Sequence, residues 1–277
     1  MTKDLKKFDT EGYIGPFKLD DVSQISSLLN ERYIPRHLYG WQKSPHEKSE
    51  PIIKFATDKN LLEKLKNVLK ENILLWGSLF VEQKPGGQST WHLDVEHGSW
   101  DGATAWIGLK NLNEKTSLSI ITYSHLLNTT PIELKKKINL DCADDDAVLR
   151  EAKKIDSRCE LKTFYLKPGE FIIWSGRIWH ETLNESNKVR QSIILQYCTP
   201  ENKVKIPLNF DYPNTKWSEI KPTCVLISGK DNFSYNTVLD KESVKPSIAL
   251  FRKFKVSVIY NLRFKLASSY RQFKSFF

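Results

Sequence analysis

The stretch that decides the reading is Trp91-His92-Leu93-Asp94, set between the turn signal Pro85-Gly86-Gly87 and the apolar run 103–109. In an extended strand, residues two apart project from one face, which brings the imidazole of His92 and the carboxylate of Asp94 together. One further imidazole completes a facial triad of two His and one carboxylate. That donor set suits ferrous iron and leaves coordination positions open. The natural third donor is His180, in Ile178-Trp179-His180-Glu181-Thr182, which follows the apolar run 171–174. A His-x-Asp tripeptide alone arises often by chance, so the reading needs a second feature.

Arg190 supplies it. Ten residues beyond His180, it heads the apolar run Ser192-Ile193-Ile194-Leu195-Gln196-Tyr197. A buried strand rarely begins with Arg unless the charge has a partner. A guanidinium clamps a carboxylate in bidentate fashion, and the hydroxyl of Ser192, two residues on, shares its face. Alone, Arg190 reads equally well as a surface ion pair at a strand end. Following the two His and the Asp, it reads as the seat for the far carboxylate of a dicarboxylic cosubstrate.

Around these residues the pattern is that of a β protein. Short strand-like runs cover 74–83, 103–109, 118–122, 161–166, 171–174 and 191–199, with Pro168-Gly169 as a further turn signal. Many short strands with few intervening helices predict a sandwich or barrel-like architecture. Two helices precede them. Asp20 or Asp21 caps one carrying Val22, Ile25, Leu28 and Leu29, and Asp58 caps another running from Leu61 to Ile73. A charged, helical insertion is expected over 130–156, and the main boundary near 200–205.

With these motifs in view, the chain resembles the phytanoyl-CoA dioxygenase family of Fe(II)/2-oxoglutarate oxygenases from about Phe8 to Thr199. Phe8…Gly12-Tyr13-Ile14 is similar to the family's opening, and Pro85-Gly86-Gly87…Trp91-His92-Leu93-Asp94 to its Pro-Gly…Trp-His-x-Asp segment. Ala105-Trp106-Ile107-Gly108-Leu109 resembles the strand that follows. Ser124-His125 resembles the end of its Gly-Ser-His segment, and Asn184-Glu185-Ser186…Arg190 its distal motif.

The resemblance implies a mainly β fold with flanking helices, built on a double-stranded β-helix (a jelly-roll, cupin-like core). It implies an oxygenase core with N-terminal helices over 1–204 and a C-terminal extension over 205–277. It assigns Fe(II) to His92, Asp94 and His180. The 5-carboxylate of 2-oxoglutarate falls to Arg190 and Ser192, with Trp106 against cosubstrate or substrate. The implied reaction uses O2, with ascorbate as an accessory reductant, and hydroxylates an unactivated carbon of a small-molecule metabolite, releasing succinate and CO2.

The chain also departs from the family. Arg190 stands at ten rather than eleven residues from His180, Lys115-Thr116-Ser117 replaces a usual Gly, and Tyr123 replaces the Gly of Gly-Ser-His. These changes fall near the expected mouth and imply a substrate far from phytanoyl-CoA. Asp94 itself argues against a halogenase, whose centre needs a small residue there. The competing readings are a non-catalytic β-helix binding module and an oxygenase that demethylates nucleic acid.

Composition sets outer bounds. The 277 residues fit one large domain or one with an appendage, and the eight Trp, ten Tyr and fourteen Phe suit a β-rich core. Cys142, Cys159, Cys198 and Cys224 are scattered, as expected of reduced thiols in a cytoplasmic protein. No apolar run is long enough for a bilayer or a signal peptide. The net charge of +9 is local: residues 245–277 carry eight Lys or Arg and no acid, leaving 34 basic against 33 acidic residues elsewhere.

Within that tail, Phe251, Phe254, Val258, Leu262, Leu266 and Tyr270 recur near helical spacing. This predicts an amphipathic helix that either packs on the body or contacts an anionic membrane surface or an acidic partner. A near-neutral body without a recognition motif disfavours nucleic acid. Of the remaining candidates, Trp91, Trp174 and Trp179 are expected either to wall the pocket or to fill the core. Glu96, His97 and His125 are weaker site candidates, and Arg36, His37 and His46 read as solvated loop residues.

Overall fold

The computed structural model describes residues 2–31, 43–95, 100–208 and 214–244. The expectations for Arg36, His37, Glu96, His97 and the basic tail lie outside the described residues.

Alternation along one strand orients the whole molecule. On β9 (Arg190–Cys198), Ile193, Leu195 and Tyr197 join an apolar core together with residues from the helices. Arg190, Ser192, Ile194 and Gln196 therefore point to the opposite face. β9 sits mid-sheet, between β2 (Ile73–Gln83) and β4 (Ala103–Lys110). Beyond β4 lie β7 (Glu170–Ser175) and β1 (Tyr13–Lys18); beyond β2 lie β10 (Thr223–Ser228) and β11 (Thr237–Asp240). A second sheet runs β3 (Gly87–His92), β8 (Trp179–Asn184), β5 (Thr116–Ile121), β6 (Leu161–Phe164).

From β2 to β9 the chain passes from one sheet to the other at every step except β5 to β6, and all pairings are antiparallel except β10 with β11. This is the double-stranded β-helix, with flanking helices, that the family resemblance implies. The segment after residue 204 returns to the seven-stranded sheet, where β10 pairs with β2.

Helices close the outer faces. The large sheet is covered by α1 (Lys3–Glu11), α2 (Gln24–Glu31), α3 (Glu50–Ala56) and α4 (Lys59–Leu69), which bury Leu28, Ile52, Phe55, Leu61 and Leu65 against it. Asp58 caps α4 through the amide of Leu61, as expected. The helix stops at Leu69, short of Ile73, because Lys70 adopts φ +66° and Ile73 already opens β2. On the small sheet, α5 (Pro131–Ile138) and α6 (Asp145–Ile155) form the charged insertion, and Val148 and Ala152 pack on Trp91 and Trp179.

Two corrections concern the site strands. Neither β3 nor β8 reads as an apolar run, because their inward residues are polar and their outward ones hide under the insertion. His180 lies within β8 rather than after a strand, and β3 ends at His92, so Asp94 sits in the following turn.

Candidate functional site

His92 and His180 are cross-strand partners at the β3–β8 pairing, with ring centroids 4.3 Å apart. Each ring is fixed by its own backbone. His92 Nδ1 lies 2.7 Å from the carbonyl of Thr90, and His180 Nδ1 lies 3.0 Å from that of Ile178. A carbonyl only accepts, so both Nδ1 atoms carry the proton and both Nε2 lone pairs are left available. Burial, with His180 alongside, pulls the His92 pKa down to about 4, so its ring is neutral at pH 7.

Asp94 reaches the same place from the turn. Its amide donates to the carbonyl of Gly176 at 3.2 Å, and its carboxylate accepts from Trp174 Nε1 at 3.0 Å. The carboxylate lies 4.0 Å from His180 Nε2. Burial by itself would raise this acid, but His180, Lys43 and His92 together with the Thr104 hydroxyl hold it below its ordinary value. Trp174 also lies against the His180 ring, at 4.8 Å between centroids.

Among the described residues, no three His, Cys, Asp or Glu side chains meet as a ready-made metal cluster. The fit of an ion therefore rests on donor chemistry: two imidazoles whose Nδ1 protons go to backbone carbonyls, and one ionised carboxylate, form a set suited to ferrous iron.

Deeper along the same interior, Arg190 is fully buried. Its guanidinium stands 5.1 Å over the Trp106 ring and reaches Thr182 Oγ1 at 3.3 Å and the Ser117 carbonyl at 3.5 Å. Its Nε and the hydroxyl of Ser192 have no hydrogen-bond partner among the described residues. Burial draws the guanidinium down to about 10, still charged at neutral pH, with Glu181 on the far face of β8 opposing the shift. A buried cation meeting only long contacts to neutral oxygens is a strongly anion-seeking arrangement. Ser192 and Trp106 thus stand beside Arg190, as their place in the sequence suggests.

Other residues are placed elsewhere. Trp91 and Trp179 face outward under the insertion, with Trp91 Nε1 donating to Asp145 at 2.8 Å, so neither walls the interior. His125 lies 3.2 Å from the Asp9 carbonyl and ties down the N-terminal helix. His46 is buried rather than solvated: its Nε2 donates to the Thr223 carbonyl, and its Nδ1 lies 3.1 Å from Ser78 Oγ. Sequence reasoning missed Thr104, Gln83 and Thr182. Gln83 donates to the Thr182 carbonyl at 3.0 Å beside Arg190. The available signal was a polar residue standing in a strand otherwise buried on both faces.

The model of the phytanoyl-CoA dioxygenase (PhyH) family matches residues 39–192, more than half of the chain. The fold and the buried polar interior thus belong to an oxidoreductase, an Fe(II)- and 2-oxoglutarate-dependent oxygenase that uses O2. Within that class, the chain belongs to the phytanoyl-CoA dioxygenase family.

Solved structures show the same fold. A non-heme monooxygenase, the ThoJ–Ni complex, superposes with a TM-score of 0.60 at 14% identity, covering 98% of this chain and 99% of that one. CytC3 with Fe(II) and alpha-ketoglutarate gives 0.59 at 17%, covering 89% and 96%. EctD from S. alaskensis with 2-oxoglutarate and 5-hydroxyectoine gives 0.55 at 16%, covering 87% of each. No curated protein matches the sequence. Among the described residues, no helix is long and apolar enough to cross a membrane.

Proposed function

We propose that His92, Asp94 and His180 are the iron ligands, that Arg190 and Ser192 seat the 5-carboxylate of 2-oxoglutarate, and that the enzyme hydroxylates an unactivated carbon of a small-molecule metabolite. The observation that carries the reading is the buried, charged Arg190 beside an unpartnered Ser192 hydroxyl, both facing the interior that holds His180. Iron and 2-oxoglutarate, when bound, supply the chemistry: O2 is consumed, succinate and CO2 are released, and a C–H bond of the substrate is oxidised.

The chain's own residues do the positioning. The Thr90 and Ile178 carbonyls hold the two imidazoles in the tautomer whose Nε2 can donate to a metal. Trp174 Nε1 and the Thr104 hydroxyl hold the Asp94 carboxylate and keep it ionised. Trp106 covers the guanidinium, and Gln83 fixes Thr182, so Arg190 keeps one orientation. Leu118, Ile120 and Ile172 pack as an apolar cluster with Trp106 and Trp174, which keeps water from the region between the two ends.

The test is succinate formation from 2-oxoglutarate with Fe(II) and ascorbate, with and without O2, in wild type, His92→Ala and Arg190→Ala. Turnover that needs iron and O2 and disappears in both variants is the expected result. If the anaerobic Fe(II) protein neither turns over nor binds 2-oxoglutarate, the cosubstrate assignment is overturned.

A further inference from the structure

Lys43 has entered so far only as a charge that lowers the Asp94 pKa. Its carbonyl accepts from the amide of Ser78 at 2.9 Å, and its Nζ stands 5.2 Å from the centre of the Trp76 ring. The neighbouring His46, bonded to Ser78 and Thr223, pins this segment to the sheet. Burial lowers the Lys43 pKa, and the charge of Asp94 opposes that shift. Trp76 packs in one cluster with Val95, the residue after Asp94, and Cys198, two residues beyond Gln196, so the ammonium over its ring stands at the Asp94 end of the interior.

A second donor lies close by. Gln196 is buried on the inward face of β9, and its Nε2 has no hydrogen-bond partner among the described residues. Across one ladder it faces Thr104, whose hydroxyl holds Asp94; across the other it faces Gly77, where an added Cβ would lie 2.8 Å from Gln196 Oε1. At about 3.3 Å per residue, Gln196 stands about 13 Å along the strand from Ser192. The interior thus has an anion seat at one end, the His and Asp groups between, and a second set of donors at the other end.

Charge counting shows what that second set takes. A dication is balanced by Asp94 and the metal-binding carboxylate of 2-oxoglutarate, and the other carboxylate is balanced by Arg190. Lys43 is the cation left over. One ammonium with one neutral amide matches a singly charged group.

We propose that Lys43 and Gln196 receive a carboxylate of the primary substrate, so that the oxidised molecule is a small monoacid lying with its acid group towards Lys43 and away from Arg190. This rests on the iron and 2-oxoglutarate reading above.

The experiment uses the full chain, anaerobic, loaded with Fe(II) and saturating 2-oxoglutarate, titrated calorimetrically with benzoate and with its uncharged counterpart benzamide. Benzoate is expected to bind about tenfold more tightly than benzamide, the value of one charge-assisted contact. Lys43→Met is expected to erase that difference and Lys43→Arg to restore it. Equal binding of the two probes to wild type overturns the acid site without needing any variant to fold. So does benzoate binding that survives Lys43→Met, or that displaces 2-oxoglutarate. In these cases 2-oxoglutarate still binds and the iron reading stands. Failure of wild type to bind 2-oxoglutarate sinks the iron reading and the acid site together.

Discussion

His92 and His180 face each other across the β3–β8 pairing, and each donates its Nδ1 proton to the carbonyl two residues before it. Two imidazoles on neighbouring strands are thus oriented by the same local device, which needs no further side chain. Asp94 has no such device, since it lies in a turn and depends on partners on other segments: Trp174, Thr104 and Gly176. Interference with the site is therefore expected to act first through Asp94.

Trp174→Phe removes the hydrogen bond to Asp94 and keeps most of the ring against His180. Losses at such outer partners run to about 10–100-fold in metal affinity. Anaerobic titration with Fe(II) is expected to show weakening of about tenfold, with the folded state retained by circular dichroism. Unchanged affinity would place control of the Asp94 carboxylate elsewhere.

Arg190→Met separates stability from binding. Removing a buried charge that meets only long, neutral contacts is expected to leave thermal stability unchanged or raised. The same substitution is expected to lower 2-oxoglutarate affinity by about 100-fold, the worth of a bidentate charged pair. Thermal unfolding without ligand and anaerobic calorimetry with it read the two effects. A large loss of stability would mean that Arg190 serves the fold instead.

His46 makes stability depend on pH. Burial holds its pKa at about 4, below the ordinary 6.5, so the unfolded chain takes up the proton first. Its contribution is fully present above pH 6.5 and is lost as pH falls towards 4, at most about 3 kcal/mol for a shift of this size. Glu47 opposes it, because burial raises that acid to about 7 and its contribution is lost as pH rises from about 4.5 to 7. The informative quantity is the difference between wild type and His46→Gln in urea unfolding. Wild type is expected to lose stability relative to the variant between pH 6.5 and 4, and a difference that does not vary with pH would contradict the assignment.

Gly102→Ala tests the backbone under the site. A Cβ there would collide with the carbonyl oxygen of Tyr197, which no side-chain rotation relieves. Gly102 accepts from the amide of Gly176 at 3.0 Å, and Gly176 in turn accepts from the amides of Asp94 and Val95. Destabilisation of about 1–3 kcal/mol is expected, typical of overpacking, together with weaker Fe(II) binding. A stable variant with unchanged iron affinity would show that the two turns are not coupled.

The sequence by itself determined the fold class and the chemistry of the interior. Six strand-like runs and the Asp58 cap were legible because apolar patterning and capping are local. The residues at 92, 94 and 180 stood out as a metal-donor set, and those at 190 and 192 as an anion seat, because each combination of residue types has one chemistry. β3 and β8 were not, since a strand whose inward positions are polar and whose outward ones hide under an insertion has no apolar alternation to read. Only the tertiary structure decided that Asp94 sits in a turn held by Trp174, that His46 is a buried brace, and that Lys43 and Gln196 lie at the same end of the interior as Asp94. Those relationships join residues 50 to 180 positions apart through sheet register and loop placement. Burial and unpartnered hydrogen-bonding groups arise only when the two sheets close over one interior.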